Sequence, residues 1–137
     1  MSDSIDMTWT VTDVTAARLW ADWLSGTGHS AMTDANAVSE PIVGTTFTAW
    51  GGYISGTLEA VEPGTGFTQR WRTLDFPADA AMSLLVVTFA DSDEGCVVTV
   101  RHTELPEGDG PKYQQGWLDH YAEPMTAHYR ELAAQTP

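Results

Sequence analysis

Gly51-Gly52-Tyr53-Ile54-Ser55-Gly56-Thr57-Leu58-Glu59 is the stretch that decides the fold. Its first two glycines separate apolar and β-branched runs, and glycine supplies the positive φ that a tight, twisted hairpin turn needs. With Trp50 set against Tyr53 across the turn, Thr46, Thr48, Trp50, Tyr53, Ser55 and Thr57 share one face. Phe47, Ala49, Ile54, Gly56 and Leu58 share the other, which is the expected buried face. Glu62-Pro63-Gly64-Thr65-Gly66 reads as the next turn, with proline presetting φ and glycine taking the left-handed position. The chain then returns as an antiparallel strand from Phe67 to Arg72, with Phe67, Gln69 and Trp71 opposite Thr68, Arg70 and Arg72.

Upstream, Ile5, Met7, Trp9 and Val11 alternate with Asp6, Thr8 and Thr10, which predicts a first strand with one buried face. Asp13 or Thr15 can cap a helix that carries Ala16, Leu19, Trp20, Trp23 and Leu24, and Ser25-Gly26-Thr27-Gly28 is expected to end it. Trp9, Trp20 and Trp23 are expected to pack the helices onto that first strand. Between Gly28 and Gly44 the pattern is poor, and Ala31 to Ala37 supports a turn or two of helix.

Downstream, Leu74 to Asp79 is a loop, and Met82 to Ala90 and Cys96 to Thr103 are strands joined by the acidic turn Asp91-Ser92-Asp93-Glu94-Gly95. Leu85, Val87, Phe89, Val98, Val100 and His102 are expected to face inward, leaving Thr99 and Arg101 outward. Leu105 to Pro111 breaks the sheet. From Lys112 to Ala134, Tyr113, Trp117, Tyr121, Met125, His128 and Leu132 form one apolar stripe, so a long amphipathic helix is expected, bent by Pro124. This order predicts an α+β helix-grip fold, a curved antiparallel sheet wrapped around a long C-terminal helix, with two short helices after the first strand.

The Gly51 to Glu59 segment, Glu62-Pro63-Gly64, Gln69-Arg70-Trp71-Arg72 and His102-Thr103, in this order before a long C-terminal helix, resemble the family of activator of heat shock protein 90 ATPase homologues. These are small members of the SRPBCC superfamily, which is START-like and Bet v 1-like. The resemblance runs from the first strand to the last helix and is densest between Phe47 and Trp117. It implies a cavity between sheet and helix. It also implies a role beside a chaperone, whose eukaryotic activators bind it and stimulate ATP hydrolysis that the chaperone performs; those activators carry a further N-terminal domain, which is not expected within these 137 residues.

The 137 residues are read as a single domain, able to bury about two-thirds of its unfolded surface. Net charge is −13, from nineteen Asp and Glu against five Arg and the lone Lys112. Such a surface repels a phosphate backbone, so nucleic acid is not an expected partner. No apolar run reaches the roughly 20 residues of a membrane span, and Met1 to Ser4 lacks a signal-peptide start, so the expected location is cytoplasmic. Cys96, the single cysteine, is expected to be a small strand side chain.

No metal, nucleotide or nucleophile motif occurs, and no cofactor is expected. Asp91, Asp93 and Glu94 lack the remainder of a twelve-residue calcium loop. His29, His120 and His128 lack partners at ligand spacing and read as structural or surface side chains. His102 is the best polar candidate, since strand parity turns it inward near the helix bearing Trp117 and Tyr121; it serves either as a buried neutral imidazole or as a ligand contact. Trp71, Met82, His102, Trp117 and Tyr121 are the candidate lining of a cavity for a hydrophobic small molecule, and the same rings can instead fill a core. Trp50, Tyr53, Arg70 and Arg72 are the candidate partner-binding face. The expected function is a non-enzymatic binding module, the alternative is a chaperone-type interaction module, and a superfamily-type cyclase or hydrolase is a third reading. A homodimer is the default assembly.

Overall fold

The computed structural model describes residues 2–135. The chain runs β1 (Ser2–Thr12), α1 (Ala16–Leu24), α2 (Gly26–Thr33), β2 (Thr46–Ala49), β3 (Ile54–Glu62), β4 (Gly66–Thr73), β5 (Ser83–Ser92) and β6 (Gly95–Pro106). A long helix then forms in three parts, α3 (Gly110–Trp117), a π-helical turn over Leu118–Ala122, and α4 (Glu123–Gln135). One antiparallel sheet holds all six strands in the order β1-β6-β5-β4-β3-β2. Strands β2 to β6 form a meander, and β1 closes on β6 from Ser2 opposite Pro106 to Thr12 opposite Gly95. The curved sheet, the long C-terminal helix and the two short helices after β1 are the helix-grip architecture.

Register follows the period-two pattern. Phe47 pairs with Gly56 and Ala49 with Ile54, so Phe47, Ala49, Ile54, Gly56 and Leu58 form the buried face of the hairpin. Gly56 is where β3 admits a close neighbour: a Cβ there would lie 1.8 Å from the Arg70 carbonyl oxygen. Phe67, Gln69 and Trp71 are buried along β4, and Leu85, Val87, Phe89, Val98, Val100 and His102 along β5 and β6. Cys96 is buried between these strands, where desolvation pushes its thiol up to about 11.

The hairpin turn departs from expectation at both residues that flank the glycines: the last cross-strand pair is Ala49 with Ile54 rather than Trp50 with Tyr53, and Tyr53 is helical at φ −60 and ψ −40. Gly51 and Gly52 take positive φ as a tight turn requires, but Trp50 does so too, at φ 54. A left-handed residue no longer continues the pleat, so the Trp50 side chain leaves the Thr46 and Thr48 face. Its ring packs instead on His120, with centroids 4.8 Å apart.

Ser25-Gly26-Thr27-Gly28 ends α1 as expected, but the second helix begins within it, at Gly26, and not at Ala31. Ser25 closes α1 and caps α2, its hydroxyl accepting from Gly28 N at 3.2 Å. Gly28 is needed for a different reason: a Cβ there would meet the Asp22 backbone at 2.7 Å, so glycine lets the two helices cross closely. Trp20 and Trp23 do not lie on β1 as expected. The Trp20 indole donates to Gly66 O on β4 at 2.8 Å, and Trp23 packs among Phe67, Phe89 and Trp117. Trp9 sits beside Ala122 and Thr126 of the last helix.

In the long helix the large buried side chains are Tyr113, Trp117, Tyr121, Met125 and Tyr129, spaced by four, with the small Ala122 buried beside them. Four residues overshoot one α-helical turn by about 40°, so such a stripe drifts off the sheet. The wider π turn over Leu118–Ala122 takes up the drift, and its Glu123 N–H bonds back to Leu118 O. That local rewinding precedes Pro124, which has no N–H to give. It also explains why Tyr129, rather than His128, is the buried residue of the last turns.

Candidate functional site

The space between sheet and helix is filled by a chain of rings. Trp23 stacks on Tyr121 at 5.1 Å, Tyr121 meets Trp117 at 4.7 Å, and Trp117 meets Trp71 at 5.9 Å. Trp71 in turn abuts His102 at 4.5 Å and Tyr113 at 5.4 Å. Such edge-to-face and offset contacts are the favoured geometries of aromatic pairs.

Two buried histidines anchor this chain. Ser83 Oγ donates to Trp71 O at 2.7 Å, so its lone pairs are left for His102 Nε2–H at 2.8 Å. His102 Nδ1 therefore accepts from the Trp117 indole N–H at 3.2 Å. Both nitrogens are satisfied and burial pushes the imidazole down to about 3, so His102 is a neutral side chain that fixes Trp71 and Trp117. His29 does the same at the other end. Its Nδ1 lies 2.9 Å from Trp23 O, and its Nε2 takes the Tyr121 hydroxyl at 2.8 Å. Burial, opposed by the Trp23 carbonyl, lowers His29 to about 4. The same desolvation holds the Tyr121 phenol well above its usual range.

Outside this filled interior, a groove of about 420 Å³ opens between the hairpin loop, β4 and the long helix. Trp50, Tyr53, Trp71, Tyr113, Trp117 and Tyr121 form its apolar wall. Its polar rim carries Lys112, Gln115, Asp119 and His120. Trp50 is the strained member, since a bulky residue at φ 54 is a conformational outlier held by its surroundings. Its buried indole N–H is directed towards the Tyr121 hydroxyl without closing a hydrogen bond. At the rim, Asp75 Oδ2 accepts from both the Tyr53 hydroxyl and Lys112 Nζ, each at 2.6 Å. These contacts, Lys112 first, hold the Asp75 carboxyl below its usual range, and Asp75 raises Lys112.

The expected residues are thus regrouped. Trp71, Trp117 and Tyr121 reach the groove, while His102 lies behind them and Met82 lies outside its wall, because Ser83 takes the inward position at the start of β5. Trp50 and Tyr53 belong to the groove and not to a face shared with the arginines. Arg70 pairs with Glu59 at 3.2 Å and Glu104 at 3.3 Å. Arg72 donates to the carbonyls of Phe76, Pro77 and Ala80 and holds the loop after β4. Tyr113 and Lys112 were absent from the expected site, although Tyr113 stood in the same four-spaced stripe as Trp117.

The turn acids also have structural work: Asp91 Oδ1 accepts from Ala16 N at 2.8 Å and ties the β5–β6 turn to α1. Among the described residues, no group of three or more His, Cys, Asp or Glu side chains is placed to hold a metal ion. No helix among them is long and apolar enough to cross a membrane.

The model of the activator of Hsp90 ATPase homolog 1-like protein family matches residues 8–129, from the middle of β1 to the last buried turn of α4. The chain belongs to that family. Its membership accounts for the hairpin, the turn that follows it and the long closing helix together. An HSP90 activator from Plasmodium falciparum superposes with a TM-score of 0.74 at 17% identity, over 93% of this chain and 94% of that one. Ara h 8.0201 gives 0.70 at 13% identity, over 98% and 100% of the two chains. CalU16 from Micromonospora echinospora gives 0.67 at 17% identity, over 95% and 82%. At these identities the likenesses establish the fold alone. No curated protein matches the chain.

Proposed function

We propose that this family member is a binding module that holds a compact, ring-bearing apolar molecule in the groove between the hairpin loop, β4 and the C-terminal helix. The observation that carries the reading is the groove itself: about 420 Å³, walled by six aromatic side chains, with polar groups confined to its rim. That size lies towards the low end of the roughly 300 to 1,000 Å³ of small-molecule sites and favours a ligand of two or three rings over a long lipid. The left-handed Trp50 supports it, because backbone strain at a pocket wall is sustained by function more readily than by stability. The histidine-anchored ring chain behind the groove gives it a rigid floor.

The test is thermal unfolding and native mass spectrometry with fatty acids, sterols and flavonoids. Flat aromatic compounds should raise the melting temperature and appear as one-to-one adducts. A protein inert to every aromatic compound would overturn the reading.

A protein partner is the second reading, favoured by the family and by Leu74. That side chain is 78% exposed and follows directly on β4, its N–H bound to Tyr53 O at the groove rim. An apolar side chain of a chaperone could enter the same groove. Stimulation of a chaperone's ATP hydrolysis by the purified protein, lost on Leu74→Ser substitution, would support it over the small-molecule reading.

A further inference from the structure

Two hydrogen-bond donors converge on one point at the groove rim. The Tyr53 hydroxyl and Lys112 Nζ both lie 2.6 Å from Asp75 Oδ2. Tyr53 and Lys112 line the groove, and Asp75 does not. One donor comes from the hairpin loop and the other from the first turn of α3, so the fold alone brings them together. Lys112 is the only lysine of the chain and the only Lys or Arg in the groove lining.

Asp75 reaches this pair from a fixed turn. Its N–H donates to Thr73 Oγ1 at 3.1 Å, and that hydroxyl also meets the Tyr113 hydroxyl at 2.7 Å. Yet the Asp75 and Lys112 side chains are 51% and 49% exposed. An ion pair so solvated contributes little to folding and exchanges readily.

We propose that Tyr53 and Lys112 form an anion-binding subsite for the carboxylate of an aromatic acid whose rings lie in the groove, and that Asp75 is the chain's own occupant of that subsite. This rests on the groove reading above. A ligand carboxylate that replaces Asp75 keeps both charge-assisted hydrogen bonds, while Asp75 swings into water from a half-exposed position. The exchange is nearly neutral at the rim, so the rings supply the affinity and the carboxylate supplies the orientation. Asp119, the other charged rim residue, accepts from Gln115 at 2.9 Å and leaves Lys112 as the anion's anchor. In a protein of net charge −13 an acidic ligand is disfavoured everywhere else, which confines it to this point.

The test titrates 1-naphthoic acid and its neutral amide into the native protein, Asp75→Asn and Lys112→Gln by isothermal titration calorimetry. Asp75→Asn should tighten the acid about tenfold by freeing both donors and leave the amide within about twofold. Lys112→Gln should erase the gain when combined with Asp75→Asn. Equal affinities for acid and amide in Asp75→Asn, or a weakened acid, would overturn the subsite and leave the groove standing. Failure of the amide and the acid alike to bind any variant would overturn the groove and the subsite with it.

Discussion

Replacing Trp117 by alanine tests whether the space between sheet and helix is packed or open. Trp117 is 3% exposed and meets Trp23, Trp71, His102 and Tyr121 with ring centroids 4.7 to 6.0 Å away. A buried tryptophan removes about 200 Å² from water, worth about 5 kcal/mol at 25 cal/mol per Å², and core Trp→Ala exchanges cost about 3 to 5 kcal/mol. The substitution also strips His102 Nδ1 of its donor, adding about 1 kcal/mol or more unless water enters the new cavity. The sum is about 5 kcal/mol, or a fall in melting temperature of about 15 °C for a chain of this length. Far-UV circular dichroism during guanidinium unfolding reads it directly, whereas fluorescence mixes six tryptophans. A loss below about 1 kcal/mol would refute the packed interior, because a ring held among Trp23, Trp71, His102 and Tyr121 cannot be deleted so cheaply.

Acid should weaken the fold before most carboxylates titrate. His29 and His102 hold folded pKa values of about 4 and about 3, below the ordinary 6.5. The unfolded chain therefore binds more protons below pH 6.5, so their contribution is complete above that pH and is lost as pH falls towards those folded values. At about 1.4 kcal/mol per unit for each, the two together remove about 4 kcal/mol by pH 5, visible as a lower urea midpoint than at pH 7; an unchanged midpoint would contradict their buried neutral state. Gly56→Ala places a Cβ 1.8 Å from the Arg70 carbonyl oxygen and 2.8 Å from the Phe47 ring, and should lower stability by more than about 3 kcal/mol. A thermal midpoint within a few degrees of the native protein would show that β3 and β4 are not so close. Trp50→Gly relieves the left-handed strain while deleting a half-buried ring, so stability should change by about 1 kcal/mol or less while aromatic ligands weaken at least about tenfold. Binding by that variant at native affinity would remove Trp50 from the groove.

What was legible in the sequence was what depends on local periodicity. The Gly51-Gly52 turn, the alternation along β3 to β6 and the four-spaced aromatic stripe each follow from spacing alone, and together they carry the fold. His102 was legible as an inward residue, but its partners Ser83 and Trp117 come from elements 15 or more positions away, and only those partners show both nitrogens to be occupied. His29 was harder still, because its helix has one weak apolar face and its second partner, Tyr121, is 92 residues distant. The candidate partner face was regrouped at the hairpin loop. Strand parity assumes that every residue stays in the β region, and Trp50 and Tyr53 do not. Arg70 and Arg72 were read as part of that face because their pairing depends on Glu104 and on the carbonyls of the loop after β4, none of which a strand pattern locates.

The central claim, a ligand groove outside a filled interior, is tested most directly by the indole N–H resonances of the six tryptophans. In ¹H–¹⁵N spectra recorded during titration with 1-naphthamide, the signals of Trp50, Trp71 and Trp117 should move together, while those of Trp9, Trp20 and Trp23 stay in place. Movement of Trp23 with Trp117, or of no indole at all, would contradict the account, the first by opening the interior and the second by emptying the groove.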